Sequence, residues 1–187
     1  MKKLNVKAFV SIGMLSSISY VLMLLNFPLP PFPNFLMIDF SDIPALVAAL
    51  IFGPAAGILV ELFKNILDYF MIGSPTGVPV GHIANFIAGI TFILPVYYIY
   101  QKIKTKKGMT QALVAGTVSM AVLMSILNYF VLLPAYAFFM HFELPKEIAV
   151  TAILPFNIVK GILIALVFMV LFTKMSPWIG KQQVKNA

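Results

Sequence analysis

Long apolar runs, separated by short stretches rich in proline, glycine or lysine, set the pattern of this chain. The first run ends at Phe27. About twenty residues at 1.5 Å each match a hydrocarbon core about 30 Å thick, so the run reads as a membrane span. Pro28 stops it, and Pro30, Pro31 and Pro33 keep the backbone that follows out of helix. That non-helical segment is still apolar, with Phe32, Phe35, Leu36, Met37 and Ile38. A loop meant for water would be more polar, so it is expected to fold back on the helices as a lid. Apolar pattern resumes over 42–70, broken by Gly53-Pro54, and again over 81–101, 109–133 and 148–173. The connection from Ile72 to Gly81 carries Gly73, Pro75, Gly77 and Pro79 and reads as turns.

Composition turns these runs into a class. The 187 residues are 61% hydrophobic and only 10% charged, against about 25% charged in a soluble domain. The chain is therefore expected to be an all-α integral membrane protein with a single domain over 1–187. Every basic residue is lysine. Lys2, Lys3 and Lys7 precede the first run; Lys102, Lys104, Lys106 and Lys107 form one loop; Lys174, Lys181 and Lys185 follow the last run. Positive charge marks the cytoplasmic side. Both termini and the lysine loop then lie inside, and an even number of crossings must separate the first two clusters. Residues 42–70 must cross twice, which gives a six-transmembrane-helix bundle over 6–27, 42–52, 54–70, 81–101, 109–133 and 148–173. The second helix is then only about 16 Å long. Its outer end must begin at depth, with the apolar loop above it, and irregular backbone at that depth lines protein or a cavity. A pocket beneath the 28–41 loop follows. The run after Met1-Lys2-Lys3 has no small-residue cleavage site and reads as a retained span. The +7 charge follows membrane topology and points to the lipid bilayer, with no nucleic acid as partner.

Polar residues within the spans carry the chemistry. Glu61, Lys64, Asp68, His82, Asn85, Asn128, Asn157 and Lys160 gather in the middle or outer half, whereas Ile162 to Phe172 has no such group. A proton or ion path would place groups through both halves; this distribution describes a cup open to one side. The stretch Leu154–Gly161 places Asn157 and Lys160 three apart, hence on one helix face. A lysine there costs about 2.5–3.5 kcal/mol on insertion scales, so its face looks into protein or a cavity. A single intramembrane asparagine is ordinarily interhelical glue, but Asn128, Asn157 and Lys160 at one depth read together as a ligand site. Glu61, Lys64 and Asp68, at i, i+3 and i+7, read as an internal ion-pair set. Ser41 or Asp42 is placed to cap the second helix. Gly13 and Ser17 form a small-xxx-small pair, suited to close packing within the chain or docking of a partner. Cysteine is absent and His82 and His141 fall in different segments, so no metal site is expected. No phosphate loop, HExxH, GxSxG or catalytic carboxylate pair with a base appears, so no enzyme is expected. A small membrane enzyme acting on lipid is disfavoured on the same ground.

Certain of these residues carry a resemblance over essentially the whole chain. The apolar loop Pro28–Asp39, Asp42-Ile43-Pro44, Phe52-Gly53-Pro54-Ala55-Ala56-Gly57, Asn128-Tyr129 and Pro155-Phe156-Asn157-Ile158-Val159-Lys160-Gly161 resemble the substrate-binding S-components of energy-coupling factor (ECF) vitamin transporters, most closely the riboflavin-specific branch. The resemblance implies riboflavin as the transported ligand, with no cofactor. It implies a membrane coupling component and two ATPase subunits as partners, with Gly13 and Ser17 facing the coupling component. It also implies a plasma-membrane protein whose site opens to the outside. The ligand residues it implies are Asn128, Asn157, Lys160, Leu36, Met37, Asp39, Thr76, Gly81, Asn85 and Tyr129. Carboxamides suit the alternating donors and acceptors of a flavin pyrimidine edge, and apolar walls suit its dimethylbenzene edge. The alternatives are an S-component for thiamine or a pyridoxine-like vitamin, and a solitary secondary transporter.

Overall fold

The computed structural model describes residues 6–141 and 145–185. Lys2 and Lys3 of the first basic cluster, and residues 142–144, lie outside them.

The short second helix is the centre of the molecule. Helix α2, Asp42–Phe52, spans 11 residues, and every residue from Asp42 to Ile51 is buried. It packs against α1 (Val6–Leu24), α3 (Pro54–Ile72), α4 (Val80–Lys102) and α7 (Leu154–Lys185). Its sequence allows this because Ala45, Ala48 and Ala49 leave room for neighbouring helices on several sides. The chain then reverses at Gly53, whose φ of 100° favours glycine, and Pro54 takes the first turn of α3, where no backbone N–H is needed. Gly57 sets the closeness of the α2–α3 pair: a Cβ there would lie 2.8 Å from Ala49 Cβ and 3.0 Å from the Ala45 carbonyl.

Side-chain polarity does not separate inside from outside. Helix α1 buries Ala8, Ile12, Ser16, Ser19 and Met23 and exposes Phe9, Val10, Met14, Ile18 and Val21. The exposed face is the more apolar of the two, as a helix against lipid requires. Among the described residues, four helical stretches are long and apolar enough to cross a membrane: Val6–Leu24, Val80–Lys102, Lys106–Met140 and Ala149–Gln182. Helix α2 is too short, and α3 carries Glu61, Lys64 and Asp68.

Two stretches depart from the sequence pattern. Helix α5, Lys106–Leu127, does not end near 133. It passes through a π turn at Asn128–Leu132 and continues as α6, Leu133–Met140. The last helix is also introduced by a π turn, Ala149–Ile153, and it runs past 173 to Lys185. Pro134 and Pro155 each stand two residues after a π turn. A proline lacks the N–H that an α-helix needs, and a π turn slips the hydrogen-bond ladder by one residue. Both prolines thus fall where the ladder is already offset. At the other end, Lys7 Nζ donates to Gln182 Oε1 at 3.3 Å, which brings the start of α1 beside the end of α7.

Between α1 and α2 the chain forms a hairpin. Strand β1 (Phe27–Pro28) pairs antiparallel with β2 (Met37–Ile38), and Ile38 is fully buried while Met37 is exposed. Phe32 at the hairpin tip packs edge-on against Phe156 of α7, with centroids 5.5 Å apart. Leu36 packs on Leu133, Ala149 and Ile153.

Filling the α2–α3 contact should be costly. Gly57→Leu is predicted to overpack it by roughly 1–3 kcal/mol, read as a fall of about 2–4 °C in melting temperature per kcal/mol in detergent. Gly180→Ala, with nothing within 4 Å of its added Cβ, should melt close to the parent.

Candidate functional site

Five charged side chains meet where the hairpin runs into α2, and all are buried: Asp39, Asp42, Glu61, Lys64 and Lys160. The Lys64 ammonium donates to Asp42 Oδ1 at 2.6 Å, lies 2.8 Å from Glu61 Oε2, and donates to Ser41 Oγ at 2.7 Å. Lys160, from α7, donates to Asp39 Oδ2 at 3.1 Å and stands 4.0 Å from Asp42 Oδ2. Such charges are tolerated away from water only when paired and hydrogen-bonded. Space for the Glu61 carboxylate comes from Gly89 on α4, where a Cβ would come within 2.3 Å of it.

Part of this differs from the sequence reading. Lys64 does pair with Glu61, but Asp68 leaves the expected set and pairs with His82 Nε2 at 3.0 Å. Ser41 occupies the N-cap position of α2 without capping it. Its hydroxyl bonds instead to Asp39 and accepts from Lys64. The reason is electrostatic: a buried ammonium and carboxylate beside the hydroxyl outbid a neutral backbone N–H.

Asn157 precedes Lys160 by one turn of α7, and Asn128 opens a π turn that contacts the one leading into α7. Asn128 Nδ2 donates to Met124 O and Asn157 Nδ2 to Ile153 O, each at 2.8 Å. Asn128 opens the first π turn, and Ile153 closes the second. The two π turns touch, and Ser125 Oγ of α5 donates to Ala149 O in the second at 2.6 Å. π turns are frequent at functional sites. A carboxamide has two N–H donors and an acceptor oxygen. With one N–H bonded to its own helix, each asparagine keeps a donor and an acceptor for something else. Lys160 follows Asn157 by one helical turn, so the Asn157 amide, the ammonium, Asp39 and the hairpin residues Phe32 and Leu36 meet at one end of α7.

The remaining residues from the sequence reading are placed elsewhere. Asn85 is half-buried and accepts from Asn65 Nδ2 at 3.4 Å, within an antiparallel α3–α4 seam that also pairs Glu61 with Gly89 and Asp68 with His82. Thr76 bonds within its own turn, to Ser74 and the Val78 carbonyl. Gly81 faces Tyr136 of α6, whose hydroxyl would lie 2.9 Å from an added Cβ. The Tyr129 ring is 40% exposed, with Lys146 Nζ 5.6 Å from its centroid. Gly13 and Ser17 lie on the exposed face of α1, Ser17 Oγ donating back to the Gly13 carbonyl at 3.1 Å. Sequence reasoning missed the Asp39–Lys160 and Asp42–Lys64 pairs. A buried lysine on each of two spans does signal that carboxylates must come to meet it.

This is the architecture of a helical membrane receptor: apolar outside, polar groups collected at one buried place under a hairpin. A family model described as "ECF transporter, substrate-specific component" matches residues 7–172. The chain is 52% identical over 185 residues to a protein of Bacillus subtilis (strain 168) named "Riboflavin transporter FmnP", covering 96% of this chain and 97% of that one. It is 44% identical, with the same coverage, to "Riboflavin transporter RibU" of Staphylococcus aureus (strain TCH60). A solved structure described as "Structure and mechanism of the S component of a bacterial ECF transporter" superposes with a TM-score of 0.81 at 43% identity, covering 92% of this chain and 97% of that one. The chain belongs to the substrate-specific components of ECF transporters. It is a membrane protein and a transporter component, not an enzyme.

The charge cluster makes a testable demand. Lys64→Met leaves Asp42 and Glu61 without their shared counter-charge. Breaking a buried pair costs about 3–5 kcal/mol, so the variant should melt well below the parent in detergent. Lys64→Met combined with Asp42→Asn and Glu61→Gln should recover more than half of that loss.

Proposed function

We propose that this chain binds riboflavin with high affinity and delivers it to an ATP-driven module. The observation that carries the reading is the pair of buried carboxamides, Asn128 and Asn157, each with a donor and an acceptor to offer beside the Lys160 ammonium. A flavin pyrimidine edge presents an N–H flanked by two carbonyls and takes both kinds of partner. The names of the relatives, riboflavin transporters at 44–52% identity along nearly the whole chain, support the same ligand. Leu36, Met37, Asp39, Thr76, Gly81, Asn85 and Tyr129 complete the proposed lining, with hairpin and turn backbone serving the ribityl chain.

In the same reading the single domain crosses the plasma membrane six times, both termini are cytoplasmic, and the site opens to the extracellular side. The hairpin after α1 acts as its lid, supported by the Phe32–Phe156 contact. A membrane coupling component and two ATPase subunits supply the energy. The coupling component docks on the open face of α1 at Gly13 and Ser17, where nothing lies within 4 Å of a Cβ added to Gly13.

Protein purified from cells supplied with riboflavin should be yellow, with a flavin absorbance spectrum. Colourless protein that takes up thiamine instead would overturn the ligand assignment. Asn157→Ala or Lys160→Ala should weaken riboflavin binding at least about tenfold in calorimetric titration, since each strands a polar partner worth about 1–3 kcal/mol. For docking, Gly13→Leu should reduce co-purification of the coupling component.

A further inference from the structure

One serine stands between two buried lysines. Lys64 Nζ donates to Ser41 Oγ at 2.7 Å, and that hydroxyl donates to Asp39 Oδ1. The Ser41 backbone N–H reaches the same carboxylate oxygen at 2.9 Å. The other oxygen, Asp39 Oδ2, accepts from Lys160 Nζ. Ser41 itself is held from α1, because Ser19 Oγ donates to its carbonyl. Asp42 touches both lysines: Oδ1 takes Lys64 at 2.6 Å, and Oδ2 lies 4.0 Å from Lys160. The rotamer of Asp39 is therefore fixed by groups on α1, α3 and the start of α2, and only one of its oxygens is left for α7.

Lys64 has no exposed side-chain surface, while the Lys160 side chain keeps 5%. Its hydrogen-bonded link to the binding end of α7 runs through Ser41 and Asp39, beside the longer contact through Asp42. Lysine carries its charge on a flexible four-carbon stem. Holding that stem in place before a ligand arrives removes an ordering cost from binding.

We propose that Lys64 and Ser41 are positioning residues for ligand binding, acting through the Asp39 carboxylate to hold the Lys160 ammonium beside Asn157. The proposal rests on the reading of Asn128, Asn157 and Lys160 as ligand contacts. A purely structural cluster would also lower stability when cut, but its effect on affinity would not depend on Lys160.

Riboflavin titration by calorimetry on purified full-length protein separates the two. Ser41→Ala removes one hydroxyl and no charge, and Lys64→Met removes the buried cation. Should Lys64→Met fail to fold, Ser41→Ala carries the test alone. Ser41→Ala should weaken binding roughly three- to tenfold, within the range of coupled neighbours. Placed in a Lys160→Met background it should weaken binding no further; placed in an Asn157→Ala background it should keep its full effect. If Lys160→Met binds too weakly to titrate, Asp39→Ala serves as the first background, with the same expectation. An undiminished loss in the Lys160→Met or Asp39→Ala background, or no loss in the parent, overturns the proposal. If Asn128→Ala, Asn157→Ala and Lys160→Met all bind like the parent, the ligand-site reading fails and the relay with it. If those three weaken binding and Ser41→Ala does not, only the relay fails.

Discussion

Enclosing the Lys64 ammonium dictates how three helices meet. A lysine with no water around it must find carboxylates, and it finds Asp42 at the start of α2 and Glu61 one turn away on its own helix. That requirement sets the depth at which α2 begins. It places the hairpin end, Asp39–Ser41, against α3, and it requires Gly89 on α4 to leave room for the Glu61 carboxylate. The central position of α2 follows, because its first residue is pinned from the side while its small residues let neighbours close in.

The second lysine extends the same constraint across the molecule. Asp39 cannot satisfy Lys160 unless the hairpin lies against α7, and Phe32 meets Phe156 on that helix as well. The two π turns touch, and Ser125 of α5 bonds to Ala149 in the second, which holds the helix that carries Asn128 against the one that leads to Asn157. The proposed ligand groups are thus positioned by packing that is mostly outside the site. This is the arrangement by which a receptor keeps polar groups ready without exposing them to lipid.

The membrane class and the approximate helices were legible because apolar runs of that length are what a hydrocarbon core selects and what a soluble domain rarely contains. Asn128, Asn157 and Lys160 stood out for the same reason: each is a polar residue inside such a run. What was not legible depends on distance and on backbone detail. Asp39 and Lys160 are 121 residues apart, and no local spacing couples them. Asp68 sits in helical register with Lys64, yet it turns to His82, because α3 presents that part of its surface to α4. The apolar pattern ends the fifth helix at 133, but a π turn has no sequence signature, so the continuation to Met140 could not be read from residue types.

The Gly53-Pro54 reversal has a consequence for how the charge on α3 is balanced. Helix α3 alone would carry Glu61, Lys64 and Asp68 into hydrocarbon, and a single lysine at the centre costs about 2.5–3.5 kcal/mol on insertion scales. Helix α2 alone is too short to span. Joined by a two-residue reversal, the pair holds Asp42 against Lys64 between consecutive segments. The α2–α3 pair thus gives Lys64 a second carboxylate beside the Glu61 of its own helix. With both carboxylate partners on α2 and α3, the Lys64 charge is balanced by this pair alone, independently of α4 and α7.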